Sequence, residues 1–326
     1  MLVFRFSLSI LVSFLISFLL VPQLCLLADR LNFYDKPDGK LKRQPKKVPY
    51  LGGVAIYFGF LFSVLLIFPC IHNLYLYLFA ATLLLLVGLV DDFLSLSPQQ
   101  KFSGQILASV LFIYAGFFLK DPFFNSLISI AISFIWFLSV INALNLVDVM
   151  DGLSATLSMC ISASFCLFFY LAGNFDSMLL FGSLFGATLG FFVYNVPPAK
   201  IYMGDAGTLF IGGLLASAPF FMTWNKFNTF GFLTPGIIFL LPILEIVGLI
   251  LIRSYKSIPF YNGSPDHFSI YLQNKGWSKL KILKFCLMLN LILLIIATTF
   301  FIEQLNLAYL VVLIMLFCVF WIKIII

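Results

Sequence analysis

A succession of apolar runs, each long enough to cross a bilayer, constrains this chain more tightly than any motif. They can be read at roughly 3–27, 51–70, 74–90, 104–119, 124–144, 154–172, 178–195, 206–222, 232–252, 282–302 and 306–326, each close to the ~20 residues a helix needs to span the hydrocarbon core. Inside lipid every backbone N–H and C=O must be satisfied within the spanning structure, so helices are expected. Composition agrees, since 62% of the 326 residues are apolar and only 10% charged, against roughly 25% charged in a soluble domain. The expected fold is an all-α polytopic membrane protein of about eleven transmembrane helices, forming one integral-membrane domain over residues 1–326. The first run is too long for a signal peptide and lacks a small-residue cleavage site, so it is expected to remain as a helix.

Lys and Arg then set the orientation, because short basic loops stay on the cytoplasmic side. The loop after the first run carries Arg30, Lys36, Lys40, Lys42, Arg43, Lys46 and Lys47. The loop after the ninth carries Arg253, Lys256, Lys275 and Lys279, with Lys281 and Lys284 just beyond. Arg5, Lys120 and Lys226 are nearly all that the opposite side holds, which places the N-terminus outside and Lys323 inside. The net charge of +6 is therefore a topology signal and an attraction to anionic lipids or phosphates. No soluble basic domain suggests nucleic acid as a partner. The six cysteines lack metal-type spacing and are expected to pack as small apolar residues.

Acids are scarce, and five of the thirteen sit in three stretches: GLVDDFLSLS (Gly88 to Ser97), NALNLVDVMDGL (Asn142 to Leu153) and NVPPAKIYMGDAGT (Asn195 to Thr208). Counting crossings from an outside N-terminus, all three emerge on the cytoplasmic face beside the basic loops. Asp91 and Asp92 repel each other as anions, so the pair must be open to water, shared with a cation or used in proton chemistry. Together with Asp148, Asp151 and Asp205, and with Asn142, Asn145 and Asn195, they form a set suited to a divalent metal holding a pyrophosphate. Mg²⁺ takes oxygen ligands, commonly one or two carboxylates plus substrate phosphates, while Lys and Arg neutralise the remaining charge. The Gly204–Thr208 turn lets backbone approach a phosphate and opens a helix at its positive end, which makes Asp205 the first metal-ligand candidate.

These stretches, with DKPDGKLKRQPKKVPYLGG (Asp35 to Gly53), LSPQQKFSGQ (Leu96 to Gln105) and SPDHFSIYL (Ser264 to Leu272), resemble the polyprenyl-phosphate N-acetylhexosamine-1-phosphate transferases in the family's order. The resemblance implies attack of a polyprenyl phosphate, undecaprenyl phosphate in bacteria, on the β-phosphate of a UDP-sugar. UMP is released and a lipid-linked pyrophosphoryl sugar remains, the first membrane step of a cell-envelope polysaccharide. It implies Mg²⁺ as cofactor, with Mn²⁺ a possible substitute, held by Asp205 and Asn145 with Asp148 in support. It assigns Lys101 and His267 to the donor phosphates, and Asp91 and Asp92 to the entry of the lipid phosphate, one of them as base or orienting group. Asp151 and Asn195 fall in the uridine-recognising region, Tyr202 where an aromatic stacks near the uracil, and Asn142 among the substrate-binding residues. UDP-N-acetylhexosamine, polyprenyl phosphate and membrane lipids are the expected partners, a homodimer is a possible assembly, and the expected location is the bacterial inner membrane.

Several positions depart from the family pattern: Val149 and Met150 between two acids, Gln44 at a place often filled by His, Thr208 for Ser, and one His in the last loop. With VPYLGG, they favour a hexosamine-1-phosphate donor, most simply GlcNAc-1-phosphate, over the MurNAc-pentapeptide branch. Glu245 lies inside the ninth run, where a charge is expensive, just beyond Pro242, which is expected to break that helix; a structural or supporting role is expected for the acid. A secondary transporter, also polytopic and acidic within its spans, and an inactive lipid-binding relative are the competing readings. Transporter sites lie near the midplane between repeats, and these acids cluster at one surface.

Overall fold

The computed structural model describes residues 2–35, 47–67, 73–257, 259, 265–303 and 306–325. Lys36, Lys40, Lys42, Arg43, Gln44, Lys46 and Cys70 lie outside them. Each apolar run holds helix: α1 (Leu2–Leu31), α2 (Gly52–Ile67), α3 (Leu74–Leu94), α4 (Pro98–Tyr114), α5 (Ser126–Val147), α6 (Leu153–Leu171), α7 (Phe175–Asn195) and α8 (Gly204–Ser217) come first. The ninth run divides into α9 (Thr234–Ile238) and α10 (Leu240–Tyr255), bent by 69° at the break. The chain then forms α11 (Phe268–Asn274), α12 (Lys279–Glu303) and α13 (Leu307–Ile325). The break falls at Phe239, three residues before Pro242. Pro242 thus stands in the first turn of α10, where a missing N–H costs no hydrogen bond.

Among the described residues, seven helices are long and apolar enough to cross a membrane, eight if the bent pair is one span, while α2 and α13 are shorter apolar helices. Over the described residues the fold is all-α apart from one ribbon, β1 (Tyr34–Asp35) paired antiparallel with β2 (Val48–Pro49). Apolar periodicity cannot announce a two-residue strand, nor α11, whose seven residues are too few for a period.

The buried centre is α8. Ala206 through Ser217 are buried without interruption, as expected of a helix that is apolar on all sides. α3, α5 and α2 pack around it, so whatever stands at its N-terminus is surrounded by the ends of other helices.

Helix α1 is held differently. Its buried stripe is Ser9, Ser13 and Ser17, laid against Gly182, Gly186 and Gly190 of α7, while Phe4, Leu11 and Leu19 face outward. Lipid tails are as apolar as leucine, so close packing of small residues, rather than hydrophobic exclusion, drives such contacts. Ser63 adds a hydroxyl bridge, donating to the Ser9 carbonyl at 2.9 Å and lying 2.9 Å from the Ser183 hydroxyl. A Cβ on Gly186 would stand 2.2 Å from Ser13 Oγ and 2.3 Å from the Ile10 carbonyl oxygen. Gly186→Val should therefore cost about 1–3 kcal/mol of overpacking, read as a lower melting temperature in detergent; an unchanged melt would refute the close approach.

Candidate active site

Consecutive antiparallel helices bring six ends to one face: the C-termini of α3, α5 and α7 and the N-termini of α4, α6 and α8. The local sequence sharpens each turn. Ser95 takes a left-handed backbone (φ 53°) to end α3, with its N–H on the Asp91 carbonyl at 2.8 Å. Ser97 then opens α4 through a capping box with Gln100 and with Pro98 in the first turn. Gly204 takes φ +70°, and a Cβ there would lie 2.6 Å from Asp92 Oδ2. Only glycine lets α8 begin against that carboxylate.

The adjacent acids separate here. Asp92 spans two helices: its Oδ1 accepts the Asp205 N–H (2.9 Å) and its Oδ2 the Ala206 N–H (3.0 Å). It thus satisfies two of the orphan amides of α8 from the end of α3, with its negative charge at the helix's positive end. Asp91 turns elsewhere, with Oδ1 accepting the Leu96 N–H (2.8 Å) and Oδ2 lying 2.9 Å from Lys101 Nζ.

Lys101 is the junction. Its Nζ is 2.6 Å from Asp205 Oδ2, 2.9 Å from Asp91 Oδ2 and 3.3 Å from Asn145 Oδ1. Asn145 donates through Nδ2 to Asp205 Oδ1 (2.5 Å) and to Thr208 Oγ1 (2.8 Å). The side chains of Asp91, Lys101, Asn145, Asp205 and Thr208 form one network, with Asp92 fixing the backbone beneath it. Among the described residues, no three Asp, Glu, His or Cys side chains form a ready metal cage. The Asp205 carboxylate and the Asn145 carbonyl oxygen do fit the hard-cation mode in which Mg²⁺ takes few protein ligands and completes its shell with substrate phosphates and water.

Asp148 caps the C-terminus of α5, and no cation among the described residues is paired with it. Burial first, then the charges of Asp205, Asp92 and Asp151, pushes its carboxyl up to about 8. Asp151 belongs to a second network on the same face. Its Oδ2 accepts from Lys279 Nζ (2.9 Å) and from the Ala199 N–H (3.3 Å), tying the α5–α6 turn to the α7–α8 loop and to the start of α12. Asn195 uses both ends of its amide on backbone, accepting from Gly152 N (2.9 Å) and donating to the Ile201 carbonyl (2.8 Å). Its position is that of a staple between the two loops. Tyr202 is held by backbone pairing to Pro49 and Gly52, and its ring lies 6.0 Å from that of Tyr50.

Two predicted residues stand apart from both networks. Asn142 lies one turn deeper than Asn145 and donates to Gln105 Oε1 (2.7 Å) and to the Leu138 carbonyl (2.8 Å). His267 is buried, with Nδ1 2.8 Å from Glu245 Oε1. In the sequence Lys279 reads only as a topology charge, because nothing in the chain order ties it to Asp151, 128 residues away.

The sequence profile described as glycosyl transferase family 4 matches residues 74–223, from α3 through α8 and the turns after it. A probable undecaprenyl-phosphate N-acetylglucosaminyl 1-phosphate transferase of Bacillus subtilis (strain 168) is 27% identical over 277 residues, covering 82% of this chain and 76% of that one. A phospho-N-acetylmuramoyl-pentapeptide-transferase of Helicobacter pylori (strain J99) is 29% identical, covering 86% and 89%. One of the same description from Geobacillus sp. (strain WCH70) is 31% identical, covering 64% and 73%.

Asp148 offers a test of the site's electrostatics. With its carboxyl at about 8 when folded and at 3.8 ordinarily, the native state holds a proton that the unfolded chain has released, so its contribution to stability falls as pH rises through that window. Asp148→Asn removes the titration. In Mg²⁺-free detergent, the melting-temperature advantage of the variant over the wild type should widen from about pH 5.5 to about pH 8.5; a constant difference would refute the raised carboxyl.

Proposed function

This chain belongs to glycosyl transferase family 4, and on that premise we propose that it transfers N-acetylhexosamine-1-phosphate, most simply GlcNAc-1-phosphate, from a UDP-sugar to undecaprenyl phosphate. The observation that carries the reading is Lys101 set between Asp91 and Asp205 beside Asn145, at an end of the bundle where helix termini converge. An oxygen of the lipid phosphate attacks the donor β-phosphorus, the bond to the α-phosphate's bridging oxygen breaks, and UMP leaves. One pyrophosphate linkage replaces another, so no ATP is required.

In this reading Mg²⁺, held by Asp205 and Asn145, supplies neutralisation of the donor phosphates when bound. Lys101, paired with carboxylates in the free protein, transfers its hydrogen bonds to phosphate oxygens. Asp91 meets the lipid phosphate and orients or deprotonates it. Asp92, with both oxygens on α8 amides, holds Asp205 in place. Asp151 recognises the uridine with Tyr202 alongside, Asn195 shapes that pocket, Asn142 ties α5 to α4 through Gln105, and His267 contacts the donor phosphates. The protein works as a single domain over 1–326 with α2, α4 and α13 as short spans, eleven in all, in the bacterial plasma membrane; a homodimer is compatible with it.

The pentapeptide branch is kept as a second reading because relatives of that description are as similar as the GlcNAc one. Val149, Met150 and the single His of the last loop favour the smaller donor. Purified protein with undecaprenyl phosphate and Mg²⁺ should release UMP from UDP-GlcNAc or a related UDP-N-acetylhexosamine, poorly from UDP-MurNAc-pentapeptide and not from CDP- or GDP-sugars. Preference for the pentapeptide donor would move the protein to the other branch, and inertness with every donor would favour the inactive relative. Asp205→Asn should abolish turnover while the protein stays folded, and Lys101→Ala should cost about 1.5–3 kcal/mol of transition-state binding, the scale of a charge-assisted hydrogen bond.

The orientation follows from charge. Arg30, Lys47, Lys200, Lys256, Lys279, Lys281 and Lys284 lie toward the acidic end, and Arg5, Lys120 and Lys226 toward the other. By the positive-inside rule the acidic end is cytoplasmic and the N-terminus outside. Single cysteines placed at 120 and 226 should react with an impermeant thiol reagent applied from outside, and one at 281 should not; the reverse pattern would invert the topology.

A further inference from the structure

Glu245 is a buried carboxylate in the interior of α10, about 15 Å of helix before its C-terminal end, at 4% exposure. A charge at such a place is expensive unless it is paired and hydrogen-bonded. Both of its oxygens are used by the same short segment. Oε1 lies 2.8 Å from His267 Nδ1, and Oε2 accepts the Phe268 N–H at 3.4 Å. His267 stands at the N-cap position of α11 in extended backbone (φ −74°, ψ 141°), yet its side chain does not cap its own helix. The imidazole is turned onto Glu245, which itself takes the first amide of α11.

The bed around the pair is firm. Asp266 binds Lys256 Nζ at 2.5 Å and the Tyr271 hydroxyl at 3.3 Å, and the Phe268 ring packs on Trp321 of α13 at 4.8 Å. A carboxylate that accepts on both oxygens requires the facing ring nitrogen to carry the proton. Which nitrogen of a histidine is free is set by the hydrogen bond made by the other. We propose that Glu245 is a positioning residue that keeps a proton on Nδ1 of His267 and so turns Nε2 to the donor pyrophosphate, where the imidazolium's Nε2–H donates to a phosphate oxygen. This rests on the reading of His267 as a donor contact. The pair lies outside the region matched by the family profile.

The chain has two histidines, His72 and His267, so His72→Gln leaves one imidazole to observe. Nitrogen-15 NMR of the full-length labelled protein in micelles, recorded where the imidazole signals are those of the neutral ring, should show protonated Nδ1 in this background and in Glu245→Gln, whose amide oxygen still accepts. Glu245→Leu should revert to protonated Nε2. With UDP-GlcNAc, His267→Ala and Glu245→Leu should each lower kcat by about tenfold or more, as loss of an orienting partner does. The double variant should be no slower than His267→Ala alone, and Glu245→Gln should recover part of the rate. Protonated Nε2 in the parent, or losses that multiply in the double variant, would overturn the proposal while leaving the donor-contact reading intact. Wild-type turnover by His267→Ala would overturn the donor-contact reading, and the catalytic use of Glu245 with it, whatever the tautomer.

Discussion

The grip of Asp92 on the first amides of α8 is the interaction from which the rest of the acidic face is built. A helix buried on every side cannot leave its N-terminal amides to water, and its own sequence offers Met203, which cannot cap. The missing acceptor comes from α3. Once that carboxylate is spent on backbone, Asp205 is fixed in the first turn, and the distance from α3 to α8 is set. Gly204 follows from the same demand, because any side chain there would meet the carboxylate that does the capping.

Charge is what this arrangement leaves unbalanced. Asp91 and Asp92 each feel the charge of Asp205, Asp148 feels those of Asp205, Asp92 and Asp151, and Lys101 is the cation within hydrogen-bond reach of Asp91 and Asp205. The two α8 amides offset part of Asp92, and burial keeps a proton on Asp148 near neutrality. A polar network left incomplete in a low-dielectric setting is costly. Such a network favours a ligand that brings its own cations along with phosphate oxygens to receive Lys101, which is the electrostatic content of the proposed transfer between pyrophosphates.

The apolar runs made the helices legible, because each holds enough hydrocarbon-compatible residues to need little from its neighbours. The acidic stretches were legible as a group, since alternating helices must carry them to one end. Individual duties were not. Adjacent Asp91 and Asp92 look alike in the sequence, and their division between a lysine and a helix terminus depends on where α8 begins. Asn195 reads as a polar residue facing a ligand, whereas both ends of its amide bind backbone. The pairings of Lys279 with Asp151 and of His267 with Glu245 join residues far apart in the chain, which no periodicity reports. The bend at Phe239 escaped for a similar reason: Pro242 signals a helix boundary, but on its own it does not say on which side the boundary falls.

Two networks share this face without sharing side chains. One hangs on Lys101 and the ends of α3, α5 and α8; the other hangs on Asp151 and joins the α5–α6 turn, the α7–α8 loop and α12. Backbone links them, since the loop that Asp151 and Asn195 fasten at Ala199 and Ile201 runs straight into Gly204 and Asp205. A change in the second network therefore reaches the first through the position of that loop, and in the proposed function the transfer chemistry would stay constant while the nucleotide pocket changed. Lys279 is the member most free to vary, because it stands partly exposed at the start of α12 and its removal would leave the Ala199 hydrogen bond to Asp151 in place. Under the proposed function, recognition of the donor would be retuned from this rim, while Lys101, bound to the ends of three helices, cannot move without them.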